Sequence, residues 1–400
     1  MKERWLQKSL KDVCQIKPPK SEARNLLSDT DLVSFVPMEY LGINQKTFAS
    51  NQVRPLSEVS GSYTYFAEND ILLAKITPCF ENGKLGIATS LINGIGFGSS
   101  EYIVFRPGPS VHKEWLYYFL SREEFRREGA ERMSGAVGHK RVSKEFIEDL
   151  QIPIPPIFEQ QRIIGILDEA LRNIAIAKAN IEKNLNNTRA IFESQLNAIF
   201  TQRGDGWVEK TVGEMCIIRS GTTLPKELEK PSAEIPYLKV ADMNILENLN
   251  NVTCSSRYVD RNSVNASNLL PIGTTIFPKR GGAILTNKKR LTKCVICADL
   301  NIMGIIPKSG MLPEYLFNFF LQLDLRKINN GSSIPQINNY SVEPLLIRFP
   351  MSIIDQQTII TKVEALTFQT QYLESIYQRK LAALDELKKS LLHQAFSGNL

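Results

Sequence analysis

Two stretches of the chain, roughly 158–202 and 354–396, space their apolar residues as long α-helices do. In the second stretch the apolar positions form a seven-residue repeat: Val363, Leu366, Thr370, Leu373, Tyr377, Leu384, Leu387 and Leu391. The first stretch is less regular and contains one glycine, Gly165, and no proline. The pattern predicts two helices of about 40 residues, each about 60 Å long. Because one such helix cannot bury its own apolar stripe, we expect the two to pair, antiparallel, as a coiled coil.

The remaining chain has a different pattern, in which short apolar runs alternate with glycine, proline and asparagine. Runs such as Ile71-Leu72-Leu73 and Tyr102-Ile103-Val104-Phe105 indicate strands, and residues 114–120 indicate a short helix. The mixture predicts an α+β fold for each of these regions. The aromatic group in 115–119 favours a buried helix face over a surface that stacks on bases.

The chain also repeats itself. Trp5 corresponds to Trp207 and Cys14 to Cys216, and Glu159-Gln160-Gln161 corresponds to Asp355-Gln356-Gln357. The offset drifts from 202 at the first of these pairs to 196 at the last, as expected for a duplication with small insertions and deletions. This predicts two tandem copies of one α+β domain at 1–157 and 204–350, with the long helices at 158–203 and 351–400.

Composition narrows the class of protein. With 43% hydrophobic and 22% charged residues, the chain can bury sizeable cores. No apolar run is long enough to cross a membrane, and residues 1–13 lack the apolar core of a signal peptide. Six scattered cysteines are typical of a reduced compartment, so we expect a cytoplasmic protein. Cys14 and Cys216, at matching positions, are expected in the core. The net charge of +6 permits nucleic-acid binding without requiring it.

The order of motifs resembles the specificity subunit of type I restriction-modification systems. The resemblance is carried by the duplication, by Pro153-Ile154-Pro155-Pro156-Ile157-Phe158-Glu159-Gln160-Gln161-Arg162 before the first helix, and by Asp355-Gln356-Gln357 before the second. Residues 279–283, 301–307 and 391–398 are also similar to family segments. The resemblance implies that each domain reads one half of an interrupted DNA site, while the helices set the gap and dock methyltransferase subunits.

The same resemblance implies the partners and cofactors. The partners would be double-stranded DNA, two methyltransferase subunits and the restriction subunits, with no membrane. No cofactor is expected on this chain; S-adenosylmethionine, ATP and magnesium would belong to the partner subunits. A chain of this class would be non-catalytic. Physically, two equivalent readers joined by a spacer predict two short DNA elements at a fixed separation.

In the second copy, residues 279–293 contain six basic residues and no acidic one. Such a segment can neutralise phosphates, and its paired glycines allow a close backbone approach. The predicted DNA contacts here are Lys279, Arg280, Gly281, Gly282, Asn287, Lys288, Lys289, Arg290 and Lys293. The alternative is a solvated surface loop, which is what charge runs usually are.

The equivalent segment of the first copy, residues 75–84, has fewer basic residues. A second loop of that copy, residues 132–144, is basic and contains no acidic residue. The predicted contacts of this copy are Lys75, Lys84, Gly135, His139, Lys140, Arg141 and Lys144. The matching loop of the second copy is uncharged and rich in amides, with Gln336, Asn338 and Asn339 as predicted contacts. Because arginine and lysine pair with guanine edges and amides with adenine edges, the two loops are predicted to read different half-sites. The alternative for the amides is ordinary turn chemistry.

Catalytic motifs are missing from the sequence. Neither Pro18-Pro19 nor Pro155-Pro156 lies in the motif of an adenine methyltransferase, and no phosphate-binding loop of the ATPase type occurs. Cys294 and Cys297 form a lone CxxC without a second pair, which argues against a metal site. Two rival interpretations remain open: a self-contained DNA methyltransferase or nuclease, and a coiled-coil adaptor that binds only proteins. A modification-only system without a restriction subunit is a third variant.

Overall fold

The computed structural model describes residues 5–43, 45–50, 52–136, 138–331 and 334–400. The chain divides into two compact units. Unit 1 comprises Met1–Ile181 with Gln378–Leu400, and unit 2 comprises Glu182–Tyr377. Each long helix therefore contributes residues to both units. The domain boundaries drawn from the sequence stay a prediction.

The first copy begins with a run of short elements. Its strands are β1 Leu6–Ser9, β2 Cys14–Ile16, β3 Leu32–Val36, β4 Thr47–Phe48, β5 Val53–Pro55, β6 Thr64–Ala67, β7 Ile71–Ala74, β8 Leu85–Ala88, β9 Ile95–Gly98, β10 Tyr102–Pro107 and β11 Gln151–Ile154. Its helices are α1 Leu10–Val13, α2 Ser21–Leu26, α3 Leu56–Val59, α4 Lys113–Leu120, α5 Glu123–Glu131 and α6 Lys144–Asp149, followed by the long helix α7 Ile157–Phe200.

The second copy repeats this order. Its strands are β12 Trp207–Thr211, β13 Cys216–Ser220, β14 Ile235–Leu238, β15 Asn251–Val252, β16 Tyr258–Val259, β17 Leu269–Leu270, β18 Thr275–Pro278, β19 Arg290–Thr292, β20 Ile296–Ala298, β21 Ile302–Pro307 and β22 Leu346–Pro350. Its helices are α8 Val212–Met215, α9 Pro313–Gln322, α10 Asn339–Val342 and the long helix α11 Ile353–Phe396.

The two copies have the same sheet topology. Unit 1 has a five-stranded sheet ordered β2-β10-β7-β8-β4 and a four-stranded sheet ordered β5-β3-β9-β6, and β1 pairs with β11. Unit 2 has the corresponding orders β13-β21-β18-β19-β15 and β16-β14-β20-β17, and β12 pairs with β22. In each copy one pair within each larger sheet is parallel and the other pairs are antiparallel. The predicted α+β class with tandem duplicated units is confirmed.

Alternation along a strand divides the core into layers. In β7, Ile71 and Leu73 pack into a cluster with α1, α4 and the long helices, whereas Leu72 packs with residues of the four-stranded sheet. In β18, Phe277 packs with α8, α9 and the long helices, whereas Ile276 packs with residues of the four-stranded sheet. Side chains of a strand point alternately to opposite faces, so each five-stranded sheet is covered by helices on one face and by the smaller sheet on the other.

The aromatic side chains of α4 and α9 belong to these cores. Trp115 is fully buried, and its indole nitrogen donates to the Pro153 carbonyl at 3.0 Å. Tyr315, at the matching position, is also buried and donates its hydroxyl to the Arg348 carbonyl at 2.7 Å. The prediction of a buried aromatic helix face is confirmed. Cys14 and Cys216 are buried as expected, and burial raises the pKa of each thiol to about 12.

Within each unit the long helices pack against each other in an antiparallel direction. In unit 1, residues 163–167 of α7 share a core cluster with residues 392–396 of α11, and Lys178 forms an ion pair with Asp385. In unit 2, Arg189 pairs with Glu374 at 2.6 Å, while Leu196 and Phe200 share a core cluster with residues 359–363 of α11. The apolar repeat overestimates burial, because Leu373 and Leu387 are 40% and 46% exposed.

Candidate nucleic-acid interface

Unit 1 brings two of its predicted DNA-contacting segments together, although they lie about 65 residues apart in sequence. The backbone N–H of Val142 donates to the Lys75 carbonyl at 3.0 Å, and that of Thr77 donates to the Lys140 carbonyl at 2.9 Å. Reciprocal bonds of 3.0 and 2.8 Å between the backbones of Ser134 and Arg141 close the loop on itself. Val142 is buried, which leaves the neighbouring Arg141 exposed at the loop's surface.

Unit 2 uses the same bonds at the matching positions. The backbone N–H of Ile337 donates to the Lys279 carbonyl at 2.8 Å, and that of Gly281 donates to the Pro335 carbonyl at 2.7 Å. Ile337 is fully buried, as Val142 is in unit 1. The basic segment and the amide-rich loop of the second copy therefore form one surface. We call these two places recognition surface 1 (Lys75–Thr77 with Ser134–Ala136 and Gly138–Lys144) and recognition surface 2 (Lys279–Gly282 with Gln336–Tyr340).

A carboxylate orients the exposed arginine of recognition surface 1. The Arg141 guanidinium forms a bidentate pair with Glu101 at 2.9 and 2.6 Å and also donates to the His139 carbonyl at 3.1 Å. The hydrogen bond from Arg141 lowers the pKa of Glu101, and the nearby Lys75 adds to this effect. A bidentate ion pair of this kind fixes the plane of the guanidinium. The fork that would recognise a guanine edge is thus held in place before any ligand arrives.

At the position where recognition surface 1 has Arg141, recognition surface 2 has the amide of Gln336, and its exposed arginine is Arg280 on the other segment. The Gln336 side chain donates to Asn338 Oδ1 at 2.8 Å, and Asn338 donates to the Tyr340 hydroxyl at 2.9 Å. Beside them, Lys279 donates to Ser220 Oγ at 2.7 Å, and burial lowers its pKa, with a further contribution from Arg280. Side-chain amides carry both a donor and an acceptor, the combination that can match an adenine edge.

The other predicted residues of these surfaces are accessible. His139, Lys140, Lys144, Arg280, Gly282 and Asn339 are exposed. Gly135 has a φ of +125°, and a Cβ there would lie 2.9 Å from the His139 carbonyl oxygen, so the loop requires glycine at this position. Lys84 is half-buried and donates to the Met38 carbonyl at 2.7 Å. Their contact with DNA stays a prediction.

Lys289 and Arg290 require a correction, because both side chains are buried, with 3% and 8% exposure. Lys289 donates to Asn287 Oδ1 at 2.7 Å, and Arg290 donates to the Met243 carbonyl at 3.1 Å. Burial lowers the pKa of Lys289 to about 8. The basic run suggested a surface loop, but its second half enters β19 inside the five-stranded sheet, so these two cations cannot reach DNA in this conformation.

The other predicted contacts in the second half of segment 279–293 are neither fully buried nor part of recognition surface 2. Asn287 adopts a left-handed conformation, with a φ of +54°, and its side-chain oxygen also accepts the backbone N–H of Leu325 at 2.9 Å. Lys288 is half-buried and donates to Asn244. Lys293 is exposed and pairs with Glu314 at 2.9 Å. The pattern of charges alone could not separate these positions from Lys279 and Arg280.

Three residues that orient or extend the predicted contacts, Glu101, Ser220 and Tyr340, were not predicted from the sequence. The backbone N–H of Lys75 donates to the Glu101 carbonyl at 2.9 Å, and that of Lys279 donates to the Asn301 carbonyl at 2.8 Å. Residues 101 and 301 therefore occupy matching places beside the two lysines.

Within the described part of the chain, no group of three or more His, Cys, Asp or Glu residues could hold a metal ion. Cys297 is buried in β20, whereas Cys294 lies just before the strand and is half-buried. None of the helices in the described ranges is both long and apolar enough to cross a membrane.

Comparison with known proteins identifies the family. The family model described as the type I restriction modification DNA specificity domain matches residues 2–187 and 204–379. The two matches coincide with the two copies of the repeat and cover most of the chain, so the protein belongs to this family.

Curated relatives agree with this assignment. The chain is 35% identical to the type I restriction enzyme EcoAI specificity subunit of Escherichia coli over 161 residues, which are 40% of this chain and 27% of that protein. It is also 35% identical to the EcoEI specificity subunit of the same organism over 170 residues, which are 42% of this chain and 28% of that protein. The alignments thus span little more than a quarter of these two relatives. A longer alignment, 23% identical, covers 85% of this chain and 79% of the MjaIX specificity subunit of Methanocaldococcus jannaschii.

Solved structures share the fold. A chain from a structure on complex assembly and conformational transition of the type I R-M system has a TM-score of 0.85 at 16% identity, covering 100% of this chain and 99% of that one. The HsdS subunit from Thermoanaerobacter tengcongensis has a TM-score of 0.66 at 15% identity, with coverage of 100% and 98%. At these identities the likeness establishes the architecture.

Proposed function

We propose that this chain is the DNA-specificity subunit of a type I restriction-modification complex, in which each recognition surface contacts one half of a two-part DNA site. One observation carries the proposal: both copies attach a glycine-containing polar loop to a lysine-bearing segment through the same two backbone hydrogen bonds. Two equivalent surfaces with different side chains suit the recognition of two different short sequences. Lys75, Lys140 and Lys279 would contact phosphates, and Arg141 and Gln336 would contact bases.

The two halves would differ in the bases they prefer. The fixed guanidinium of Arg141 favours the paired acceptors of guanine, whereas the amides of Gln336 and Asn338 favour adenine. A guanine-containing element for unit 1 and an adenine-containing element for unit 2 follow from this chemistry.

The partners would be double-stranded DNA, two methyltransferase subunits and restriction subunits. Docking of protein on the long helices has physical support, because Phe368 and Tyr372 of α11 are 71% and 57% exposed and Ile176 of α7 is 54% exposed. Phe368 and Tyr372 are four residues apart on α11, and neighbouring exposed apolar side chains of this kind are typical of interaction sites. In this scheme the helices also set the gap between the half-sites.

The chain itself would be non-catalytic and would act in the cytoplasm. S-adenosylmethionine, ATP and magnesium would bind to the partner subunits. A modification-only system, without a restriction subunit, would require the same surfaces of this chain.

The decisive experiment is to co-express the chain with its candidate methyltransferase subunit and to map methylated adenines across the genome. We expect a two-part motif with a fixed gap, which disappears when this chain is omitted. Methylation at one continuous motif, or methylation that persists after the omission, would overturn the proposal. A chain that binds protein alone is distinguished by its lack of salt-dependent DNA binding, since phosphate contacts make affinity fall steeply with salt.

A further inference from the structure

Beside recognition surface 1, unit 1 contains a cavity of about 440 Å³ with a cationic lining. Five basic residues line it, namely Lys17, Lys20, Lys75, Arg141 and Lys144, and no acidic residue of the described chain is among its lining residues. Lys75 and Arg141 already belong to recognition surface 1. The cavity therefore extends that surface toward the segment between β2 and α2.

Lys17 and Lys20 differ from the other three cations in their surroundings. Lys75 and Arg141 are close to Glu101, and Lys144 pairs with Glu148 at 3.0 Å. Within the described residues, no ion pair joins Lys17 or Lys20 to a carboxylate; Lys20 donates to the Gly61 carbonyl at 2.6 Å. Burial lowers the pKa of Lys20, and the neighbouring Arg24 and Lys17 lower it further. The local charge is thus left for an anion to balance.

The backbone holds Lys17 in an unusual conformation. Its φ is +59°, in the left-handed region that residues other than glycine rarely adopt, and its N–H donates to the Val104 carbonyl at 2.8 Å. Such conformations persist only where the surroundings impose them, and they concentrate at functional sites. Here the conformation fixes the backbone of an exposed lysine that lines a cavity with four other cations.

An aromatic side chain completes the lining. Tyr63 is half-buried, and its ring packs edge-on against Phe35 with 4.8 Å between the ring centres. The other two tyrosines of the cavity, Tyr65 and Tyr102, are buried and hydrogen-bonded to Glu22 and to the Pro37 carbonyl. Tyr63 therefore offers a partly open, supported ring of the kind on which a base or sugar can pack.

We propose that this cavity holds one nucleotide of the DNA strand that passes recognition surface 1, with its phosphate at Lys17 and Lys20 and its sugar or base against Tyr63. The inference rests on the proposed function and adds three contact residues to it. A phosphate with an attached ring system matches the combination of unneutralised lysines and an aromatic platform. A free nucleotide has the same chemistry, so the test must separate the two sources.

Unit 2 does not repeat this arrangement. The residue matching Lys17 is Arg219, which donates to the Leu269 carbonyl at 3.1 Å, and the residue matching Lys20 is Thr222. The contribution of the cavity should therefore be confined to the half-site bound by unit 1.

The test compares the purified full chain with two variants of equal charge change. Lys17→Gln/Lys20→Gln removes the cavity cations, and Lys8→Gln/Lys113→Gln removes two lysines of unit 1 that lie outside the cavity. Binding to a labelled duplex carrying the mapped motif is measured by fluorescence anisotropy across a salt series. We expect the cavity variant to lose about one unit of slope in log affinity against log salt, as for one phosphate contact, and the control to lose none.

Tyr63→Ala and Tyr63→Phe provide a second readout. We expect Tyr63→Ala to weaken binding about 5- to 50-fold and Tyr63→Phe to keep wild-type affinity, because stacking needs the ring and not the hydroxyl. Thermal melts of all variants check that each is folded.

The outcomes separate the two proposals. If the wild type shows no salt-dependent DNA binding, the proposed function fails, and this inference fails with it. If the wild type binds but the cavity variant keeps the slope of the control, only the cavity inference is overturned. Titration with AMP and with inorganic phosphate gives the third arm. Tight AMP binding that the cavity variant loses, with an unchanged DNA slope, would make the cavity a small-molecule site and would also overturn the inference.

Discussion

The side chain of Gln160 at the start of α7 holds the backbone of His112 at the start of α4, with 2.8 Å between Oε1 and the amide nitrogen. Its Nε2 also donates to the carbonyls of Ser110 and Pro155 at 2.9 and 2.8 Å. In unit 2, Gln356 makes the corresponding bonds to Leu312, Gly310 and Pro350 at 2.9, 2.8 and 3.0 Å. Both glutamines are completely buried.

The first prediction concerns this glutamine. Gln160→Ala leaves buried polar groups without partners and should lower the free energy of unfolding by about 2–4 kcal/mol. Gln161→Ala, at the exposed neighbouring position, is the matched control and should change it by less than about 0.5 kcal/mol. Urea unfolding followed by circular dichroism gives both values. Equal effects of the two substitutions would show that the buried amide is not a stabilising contact.

The second prediction tests the pairing of the long helices in unit 1. Asp385→Lys places a positive charge beside Lys178 and should lower the melting temperature, whereas Lys178→Asp/Asp385→Lys should restore part of the loss. The coupling should be about 0.5–1 kcal/mol, as for a partly exposed ion pair. The double-mutant cycle is measured by thermal unfolding at low salt and again at 1 M salt, where the coupling should diminish. Strictly additive effects at low salt would contradict the pairing.

The third prediction follows from the burial of Lys289. Burial lowers the pKa of its ammonium from 10.5 to about 8, so between these pH values the unfolded chain binds more protons than the folded chain. The cost of burying the charge is complete below pH 8 and is relieved as the pH rises toward 10.5, by a free energy on the order of 3 kcal/mol in all.

Lys289→Met should therefore change the pH dependence of stability. Relative to this variant, the wild type should gain stability between about pH 8 and pH 10.5, the window set by the folded and unfolded pKa values. Urea midpoints at each pH provide the measurement, and Lys288→Met, at a half-buried neighbouring lysine, is the control. A constant difference between wild type and Lys289→Met would mean that the ammonium does not titrate in this window.

The fourth prediction concerns specificity. Arg141→Ala should relax base preference in the half-site of unit 1 alone, and Gln336→Ala in that of unit 2 alone, each by about 1–3 kcal/mol of discrimination. Methylome mapping of the variants, co-expressed with the methyltransferase subunit, gives the motif for each. The exposed Arg127, outside recognition surface 1, supplies the control Arg127→Ala. If one substitution relaxed the base preference in both half-sites, the proposal that each unit recognises its own half-site would be contradicted.

The fifth prediction concerns the gap between the half-sites. One additional helical turn, inserted between Lys178 and Arg189 of α7 and between Glu374 and Asp385 of α11, leaves both ion pairs on their own sides of the insertion. We expect the tolerated gap in the methylated motif to change. An unchanged gap would refute the proposed role of the helices in setting it.

Periodicity and repetition were sufficient to predict the large features of this fold. The long helices and the duplication follow from spacing and residue order, because both are properties of one stretch compared with another. Burial within a charged run was not predictable in this way. Lys279 and Lys289 look alike in sequence, but Lys279 is half-buried beside Ser220, whereas the Lys289 ammonium is enclosed by the Asn287 side chain and the Leu323 carbonyl.

The geometry of the two recognition surfaces was likewise not predictable from the sequence. The two loops were recognised by composition, but their attachment to Lys75 and Lys279 depends on backbone hydrogen bonds between residues about 60 positions apart. Glu101 was missed because its relation to Arg141 exists only after β7 and β10 have paired. Long-range contacts of this kind leave no local pattern in the sequence.

The attachment of the two loops through main-chain atoms has a consequence for how such a protein can change. A backbone amide and a carbonyl form their bond whatever side chain the residue carries, so substitutions at positions 139–141 or 335–336 leave the anchoring bonds chemically available. Proline at a donating position is the exception, because it has no N–H. Substitutions of the exposed side chains can therefore change the base preference of each surface, while the backbone of the loop keeps its conformation.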